Sequence, residues 1–303
     1  MGAATRVQNV PRSPVTPSFL ILGSGFGLYG YLPAALANHY EVTTLARYRE
    51  FLLSREDLRD YVCKLAFVSE ANLDFNSFDA VVIAKTPAQQ LEILEKNSKF
   101  QGRYFLEKPL GVDSQTHHLT LNILKQNSLR FSVAYIFRYL DWYQAVVDAM
   151  QSDCTINIVW RVSHIPPESW KGAADSGGGL ISYYGVHLLS LILDLEVSAD
   201  SLVFSYRKDC FEISSKSKAR KLSMRIEYAD KPLFRVEVGS NSGNYSWDMS
   251  SPFGPVPSAG LRDPRVVALT EYLKALEGEE LIEDSIIHEL GILNFRRTIE
   301  KLL

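Results

Sequence analysis

Short apolar blocks alternate with amphipathic stretches over residues 18–132. Residues 18–22 (SFLIL) read as a strand that runs straight into a glycine-rich loop, and residues 41–46 (EVTTLA) as a second strand rich in β-branched side chains. Residues 65–69 predict a weak short strand, 79–84 (DAVVIA) a continuous apolar run and 102–106 a further strand. A continuous run of that kind suits a parallel strand covered on both faces. Helical spacing over 31–39, 49–65 and 88–97 separates these blocks, and strand alternating with helix predicts a parallel, doubly wound sheet.

The pattern then changes. Residues 140–150 read as a helix with Asp141 in its first turn. Residues 154–164 alternate as a half-buried strand, and residues 180–195 have helical periodicity. From residue 201 onward strands dominate (201–207, 221–229, 233–240 and 244–250), a mostly antiparallel sheet with one face buried. Amphipathic helices over 263–276 and 284–303 close the chain, whereas residues 1–17, with three prolines, read as a disordered tail.

A chain of 303 residues exceeds the usual single core, so two domains are expected, 18–132 and 133–303. An apolar share of 46% and a charged share of 22% describe an ordinary globular protein. The net charge of −3 gives no general attraction for nucleic acid or an anionic membrane surface. Cys63, Cys154 and Cys210 are widely spaced, which suggests neither a disulfide framework nor a metal cluster; they read as buried, inert thiols of a reducing cytoplasm. No run approaches the ~20 apolar residues of a membrane span, and the N-terminus lacks a hydrophobic signal core.

The loop after the first strand is GSGFGLYG. A strand, a glycine turn and a helix together form the dinucleotide-binding arrangement, in which a pyrophosphate lies against bare backbone at the positive end of a helix. Two registers fit: Gly23 first, Gly25 second and Leu28 in the third place, or Gly25, Gly27 and Gly30. The first puts the tight turn at the strand end and is preferred, with Gly27 relieving crowding beside Leu28. Gly23, Ser24, Gly25, Phe26 and Gly27 are thus expected on the cofactor. At the end of the second strand, where an acidic residue would accept from the adenosine ribose, the chain has Arg47, Tyr48 and Arg49. Arginine there accommodates a 2′-phosphate, which predicts NADP(H) over NAD(H); the same residues would also make a plain solvated basic turn. Lys85, Thr86 and Pro87 follow the apolar run at a strand's carboxyl end, where open α/β sheets place their ligands. The expected fold is therefore an α/β Rossmann dinucleotide-binding domain followed by an α+β domain with a mostly antiparallel open sheet.

Glu107-Lys108-Pro109-Leu110-Gly111, after a strand and at this distance from the glycine loop, resembles the Gfo/Idh/MocA family of NAD(P)-dependent oxidoreductases. The resemblance implies Glu107 and Lys108 beside the nicotinamide, with Lys108 orienting or protonating the reacting oxygen, residues 131–139 (FSVAYIFRY) as the family's strand crossing into the second domain, and Arg138 among the cofactor contacts. Gly177-Gly178-Gly179 and the helix after it are similar to the family's catalytic stretch, an Asp, three residues and a His; here those places hold Tyr183 and His187. Ser190 stands where many relatives have a further acid. Lys108, His187 and Tyr183 are thus the candidate catalytic residues, and Trp170, Tyr184 and His187 the candidate substrate contacts. Trp142, Trp160 and Trp247 are further aromatic platforms for a sugar or, more simply, core residues.

What the resemblance implies is hydride transfer between nicotinamide and a hydroxyl or ketone carbon of a sugar, cyclitol or nucleotide-sugar. Two alternatives remain: reduction of a C=N or conjugated C=C bond, and a non-catalytic nucleotide-binding protein of the same fold. A homodimer or homotetramer is expected through an apolar outer face of the sheet over residues 201–249.

Overall fold

The computed structural model describes residues 16–241, 243–254, 263–274 and 282–302. Residues 1–15, most of the predicted tail, lie outside the described residues. The first sheet has six parallel strands: β1 (Ser18–Leu22), β2 (Glu41–Leu45), β3 (Leu65–Val68), β4 (Ala80–Ile83), β5 (Arg103–Leu106) and β6 (Arg130–Val133). Their order, β3-β2-β1-β4-β5-β6, reverses direction between β1 and β4. A crevice opens outside the carboxyl ends of the strands at such a point. Every side chain of β4 and β5 is buried, as the unbroken apolar runs require.

Short helices cover the sheet: α1 (Leu32–Ala37), α2 (Arg49–Ser54), α3 (Pro87–Lys96) and α4 (Ser114–Gln126). The first turn after the glycine loop is a widened one over Gly27–Tyr31, so the helical segment starts earlier than residue 31 and ends at Ala37. α4 has no counterpart in the sequence reading. Its buried face includes His117 and Thr120 beside Leu121 and Leu124, which blurs the apolar period. A capping box, in which the Asp113 carboxylate accepts from the Thr116 amide at 2.7 Å, marks its start.

The second unit contains α5 (Asp141–Ala149), β7 (Cys154–Val162), α6 (Val186–Asp194), β8 (Leu202–Arg207), β9 (Cys210–Ser215), β10 (Arg220–Tyr228), β11 (Leu233–Ser240) and β12 (Gly243–Met249). The six strands run in the order β12-β11-β7-β10-β9-β8, antiparallel except for the β7–β10 pair. β9 escaped the sequence reading because its hairpin with β8 turns through Lys208 and Asp209, without the glycine or asparagine that usually marks such a turn.

The two faces of this sheet differ in kind. Ile156, Ile158, Leu222, Met224, Val236 and Val238 point inward and are buried. The outer face is charged, not apolar as expected. Arg225 pairs with Glu227 at 2.7 Å and Glu212 at 3.5 Å, Arg161 pairs with Glu227 at 2.8 Å, and Arg235 pairs with Asp248 at 2.6 Å. Alternation along β10 and β11 puts these groups on the surface, where each pair contributes little to stability but keeps the face wet. The premise for an oligomer packed through an apolar sheet face therefore falls away. The cysteine reading also needs correction: Cys154 is buried, but Cys210 is half-buried and Cys63 is exposed at the end of a surface turn.

Two last helices return to the first unit. α7 (Arg265–Lys274) places Val266, Leu269, Tyr272 and Leu273 in the core of the parallel-sheet layer, so this part of 133–303 packs with the dinucleotide fold. The Asn38 amide donates to the Thr270 carbonyl at 2.8 Å across that contact. α8 (Ile282–Glu300) carries Arg296, which is 2% exposed and donates to the carbonyls of Gly111 and Val112, both at 2.9 Å. Among the described residues no helix is long and apolar enough to cross a membrane.

Arg296 thus ties the last helix to the turn that follows Lys108. Arg296→Ala leaves buried carbonyls without donors, and we expect it to lower unfolding free energy by about 2–4 kcal/mol in urea titrations. A loss below about 1 kcal/mol would show that this tie is not structural.

Candidate active site

The glycine loop has two glycines with different reasons for being there. Gly23 follows β1 at φ +136°, and a Cβ on it would meet the Ala84 carbonyl oxygen at 2.2 Å, so the turn and the close approach of β4 both demand glycine. This is the tight turn at the strand end that the first register requires. A Cβ on Gly25 would meet nothing within 4 Å. No atom of the described residues explains that glycine; it opens onto a cleft, as a loop that must admit a pyrophosphate against its backbone should.

The cleft has a volume of about 650 Å³. Gly23, Ser24, Gly25 and Phe26 line one end, with Arg47, Tyr48, Lys85 and Thr86. The Arg47 guanidinium stands 5.2 Å from the Tyr48 ring centroid and pairs with Glu70 at 2.9 Å, both partners about half exposed. Thr86 caps α3 through a box with Gln89. Four residues expected on the cofactor do not line the cleft. Gly27 is packed toward Ile21 and Ala84, Arg49 faces the Phe67 ring, and Pro87 is the first residue of α3. Arg138 is engaged elsewhere: its guanidinium holds Asp194 through two bonds of 2.7 Å, and Tyr143 also donates to that carboxylate. It lines a separate cavity of about 170 Å³.

The other end of the cleft gathers the three candidate catalytic residues. Lys108, at the end of β5 and 8% exposed, donates from Nζ to the Tyr183 carbonyl at 2.8 Å, and the same ammonium lies 3.8 Å from the centroid of the Tyr183 ring. Burial is the main cause that pushes its pKa down to about 7; Glu107 opposes the shift, and Lys171 and Arg265 add to it. Glu107 is half-buried behind it and accepts from the Tyr31 hydroxyl at 2.7 Å. Desolvation holds that carboxyl above its usual range although Lys108 and Tyr31 pull the other way.

His187 is 5% exposed and stacks on Phe137 with ring centroids 4.4 Å apart. Burial, reinforced by Lys108 and Arg265, keeps its imidazole well below the usual histidine range and therefore neutral. Its Nδ1 has no hydrogen-bond partner among the described residues. Tyr183 is pushed up by burial, so its hydroxyl remains protonated. An amine that titrates near neutrality, a neutral imidazole and a phenol are thus available to hold or move one proton.

Tyr184 and Trp170 complete this end as expected, with Trp170 edge-on to Tyr183 at 5.6 Å. Of the other tryptophans, Trp160 touches the cleft from the sheet, Trp142 is core, and Trp247 stacks with Tyr245 on β12. Ser190 turns away toward His288, 3.2 Å from its Nε2. Two cations in the wall were not read from the sequence. Lys171 stands 5.5 Å from the Tyr183 ring centroid. Arg265 stacks 4.3 Å over the Phe26 ring and is held by Asp263 at 2.5 Å. Lys171 adjoins a tryptophan already singled out, but nothing local marks Arg265.

Comparison with solved structures agrees with this architecture. The chain superposes on a Gfo/Idh/MocA family oxidoreductase from Vibrio cholerae with a TM-score of 0.66 at 12% identity, covering 95% of this chain and 99% of that one. The fold is that of the Gfo/Idh/MocA oxidoreductases. A myo-inositol dehydrogenase from Corynebacterium glutamicum matches with a TM-score of 0.65 at 12% identity, covering 92% and 95% of the two chains. An oxidoreductase from Agrobacterium radiobacter, solved with NAD+, L-tartaric acid and magnesium, gives 0.67 at 15% identity over 92% and 94%. No family model and no curated protein matches the sequence.

Burial of Lys108 has a cost that can be measured. Its pKa falls from 10.5 to about 7, so between those values the unfolded chain binds a proton that the native chain does not, and stability rises with pH across that window. The penalty is complete below about pH 7 and absent above about pH 10.5. Lys108→Met should raise Tm by roughly 5 °C at about pH 6 and hardly at all at about pH 10. Equal Tm values for the variant and the unmodified protein at the lower pH would contradict the depressed titration.

Proposed function

We propose that this protein is an NADP(H)-preferring oxidoreductase acting on a hydroxyl or ketone carbon of a carbohydrate-like substrate. The observation that carries the reading is one cleft with the glycine loop and Arg47 at one end and Lys108, Tyr183 and His187 at the other. The open side of Gly25 leaves room for the pyrophosphate, and Arg47 beside Tyr48 fits an adenosine 2′-phosphate. Bound nicotinamide supplies the hydride donor or acceptor. The protein's task is the proton that accompanies the hydride: taken from an alcohol by neutral Lys108 or His187, or returned to a ketone by protonated Lys108 or Tyr183. The fold neighbours include one described as an inositol dehydrogenase and one holding NAD+. A second reading, reduction of a C=N or conjugated C=C bond, is favoured by Tyr183 standing where a carboxylate is usual.

Cofactor choice is tested first. A charge-assisted bond to phosphate contributes roughly 1.5–3 kcal/mol, so NADPH should bind about 10- to 150-fold more tightly than NADH, and Arg47→Asp should narrow or reverse that gap in fluorescence titrations. Equal dissociation constants for the unmodified protein would remove the preference.

The proton inventory is tested on any substrate found by a turnover screen. Lys108→Ala and His187→Ala should each lose about 100-fold or more in kcat with NADPH affinity nearly unchanged. Tyr183→Phe removes only the hydroxyl, so a comparable loss makes the tyrosine a proton donor, and full turnover makes it the platform under Lys108. Full turnover in all three variants would overturn the catalytic assignment.

A further inference from the structure

We infer that the substrate carries an anionic group, a carboxylate or a phosphate, held in the cleft by Lys171 beside the ring of Tyr183. The inference rests on the oxidoreductase reading and concerns the end of the cleft where the reaction would occur.

The argument is one of charge. Lys108 and Lys171 approach the same aromatic ring, with Nζ 3.8 and 5.5 Å from its centroid, and Arg265 reaches the cleft from the start of α7. Arg265 acts electrostatically on Lys108, Tyr183 and His187, and Lys171 acts on Lys108, so the three cations share one field. Only one carboxyl among the described residues lines the cleft. It belongs to Glu107, which is half-buried behind Lys108 and already engaged by the Tyr31 hydroxyl. Asp263 balances Arg265, but Lys171 has no carboxylate within ion-pair distance among the described residues.

Position 183, which could have supplied a counter-charge, is a tyrosine whose ring gives the ammonium groups a π face and no formal charge. Like charges are brought together at a cost, and a cleft with low-dielectric walls concentrates their field on whatever enters. A ligand that brings a negative charge gains from the unpaired Lys171 and from Lys108 in its protonated form; a neutral polyol gains only hydrogen bonds. The cofactor's own phosphates have partners in the glycine loop with Arg47 and Lys85, and Arg265, stacked on Phe26 of that loop and held by Asp263, stands between the two ends, so Lys171 is the cation left for the substrate.

The test is calorimetric titration of the NADPH-saturated protein with D-gluconate, D-glucose 6-phosphate and, as neutral counterparts, D-glucose and myo-inositol. One of the two acids should bind about 10- to 100-fold more tightly than its neutral counterpart, the choice between them identifying carboxylate or phosphate. Lys171→Met should abolish that preference and Lys171→Arg restore it, while the NADPH dissociation constant stays within about twofold. Equal binding of acids and neutral sugars, no binding of either acid at millimolar concentration, or a Lys171→Met variant that weakens NADPH instead would each overturn the inference and leave the oxidoreductase reading standing. Failure of NADPH itself to bind would overturn both.

Discussion

The constraint on which this structure turns is an ammonium group removed from water. Lys108 sits at the carboxyl end of β5 with 8% of its surface exposed, and a cation in that position must be compensated or neutralised. The surrounding elements supply partial answers from several directions. β5 provides Glu107 behind it, the helix after the triple glycine provides a carbonyl and an aromatic face, and Arg296 of α8 fixes the turn that follows. None of these is a full counter-charge in contact with the amine. The consequence is a lysine balanced between its two forms at neutral pH, which is the property a proton-transferring group needs.

Much of the first unit was legible in the sequence because its strands are buried on both faces and therefore read as unbroken apolar blocks. β4 is the case in point, AVVI forming four buried positions, while β5 buries Tyr104, Phe105 and Leu106 together with Arg103 at its start. Alternation likewise revealed β7, β10 and β11. What failed to show were elements whose signals are not local. α4 buries a histidine and a threonine, and His117 is accommodated by Glu289 of α8, 3.1 Å away, a partner distant in the chain. β9 turns from β8 without a turn residue. The charged outer face of the second sheet was present in the alternation of SMRIEY and FRVEV, but the family pattern, which suggested an apolar face, overrode it.

The site divides in the same manner. The glycine loop, the Glu-Lys-Pro turn and the triple glycine before His187 have local signatures, and the fold brings the loop's backbone, Lys108 and His187 to one cleft. Arg138 carried a family expectation, and tertiary context gave it another partner: Asp194, at the C-terminal end of α6, with Tyr143 and His288 nearby. Arg265 shows the converse. It enters the cleft because α7 docks against α1 and the glycine loop, an event set by Val266, Leu269 and Tyr272 burying themselves in the first core. A single arginine near the end of a chain gives no sign of that from its neighbours in sequence.

Exchanging a carboxylate for Tyr183 changes the electrostatic character of the site without changing its shape in the same proportion. A carboxylate beside Lys108 and His187 would favour their protonated forms. An aromatic ring still attracts the ammonium, yet a cation–π contact is worth about 0.5–2 kcal/mol and brings no charge to offset Lys171. The lysine is therefore left free to lose its proton and the imidazole stays neutral, so the resting site holds fewer protons and more uncompensated field than one built around an aspartate. Part of the charge balance that such a fold would keep within the protein is here transferred to whatever occupies the cleft.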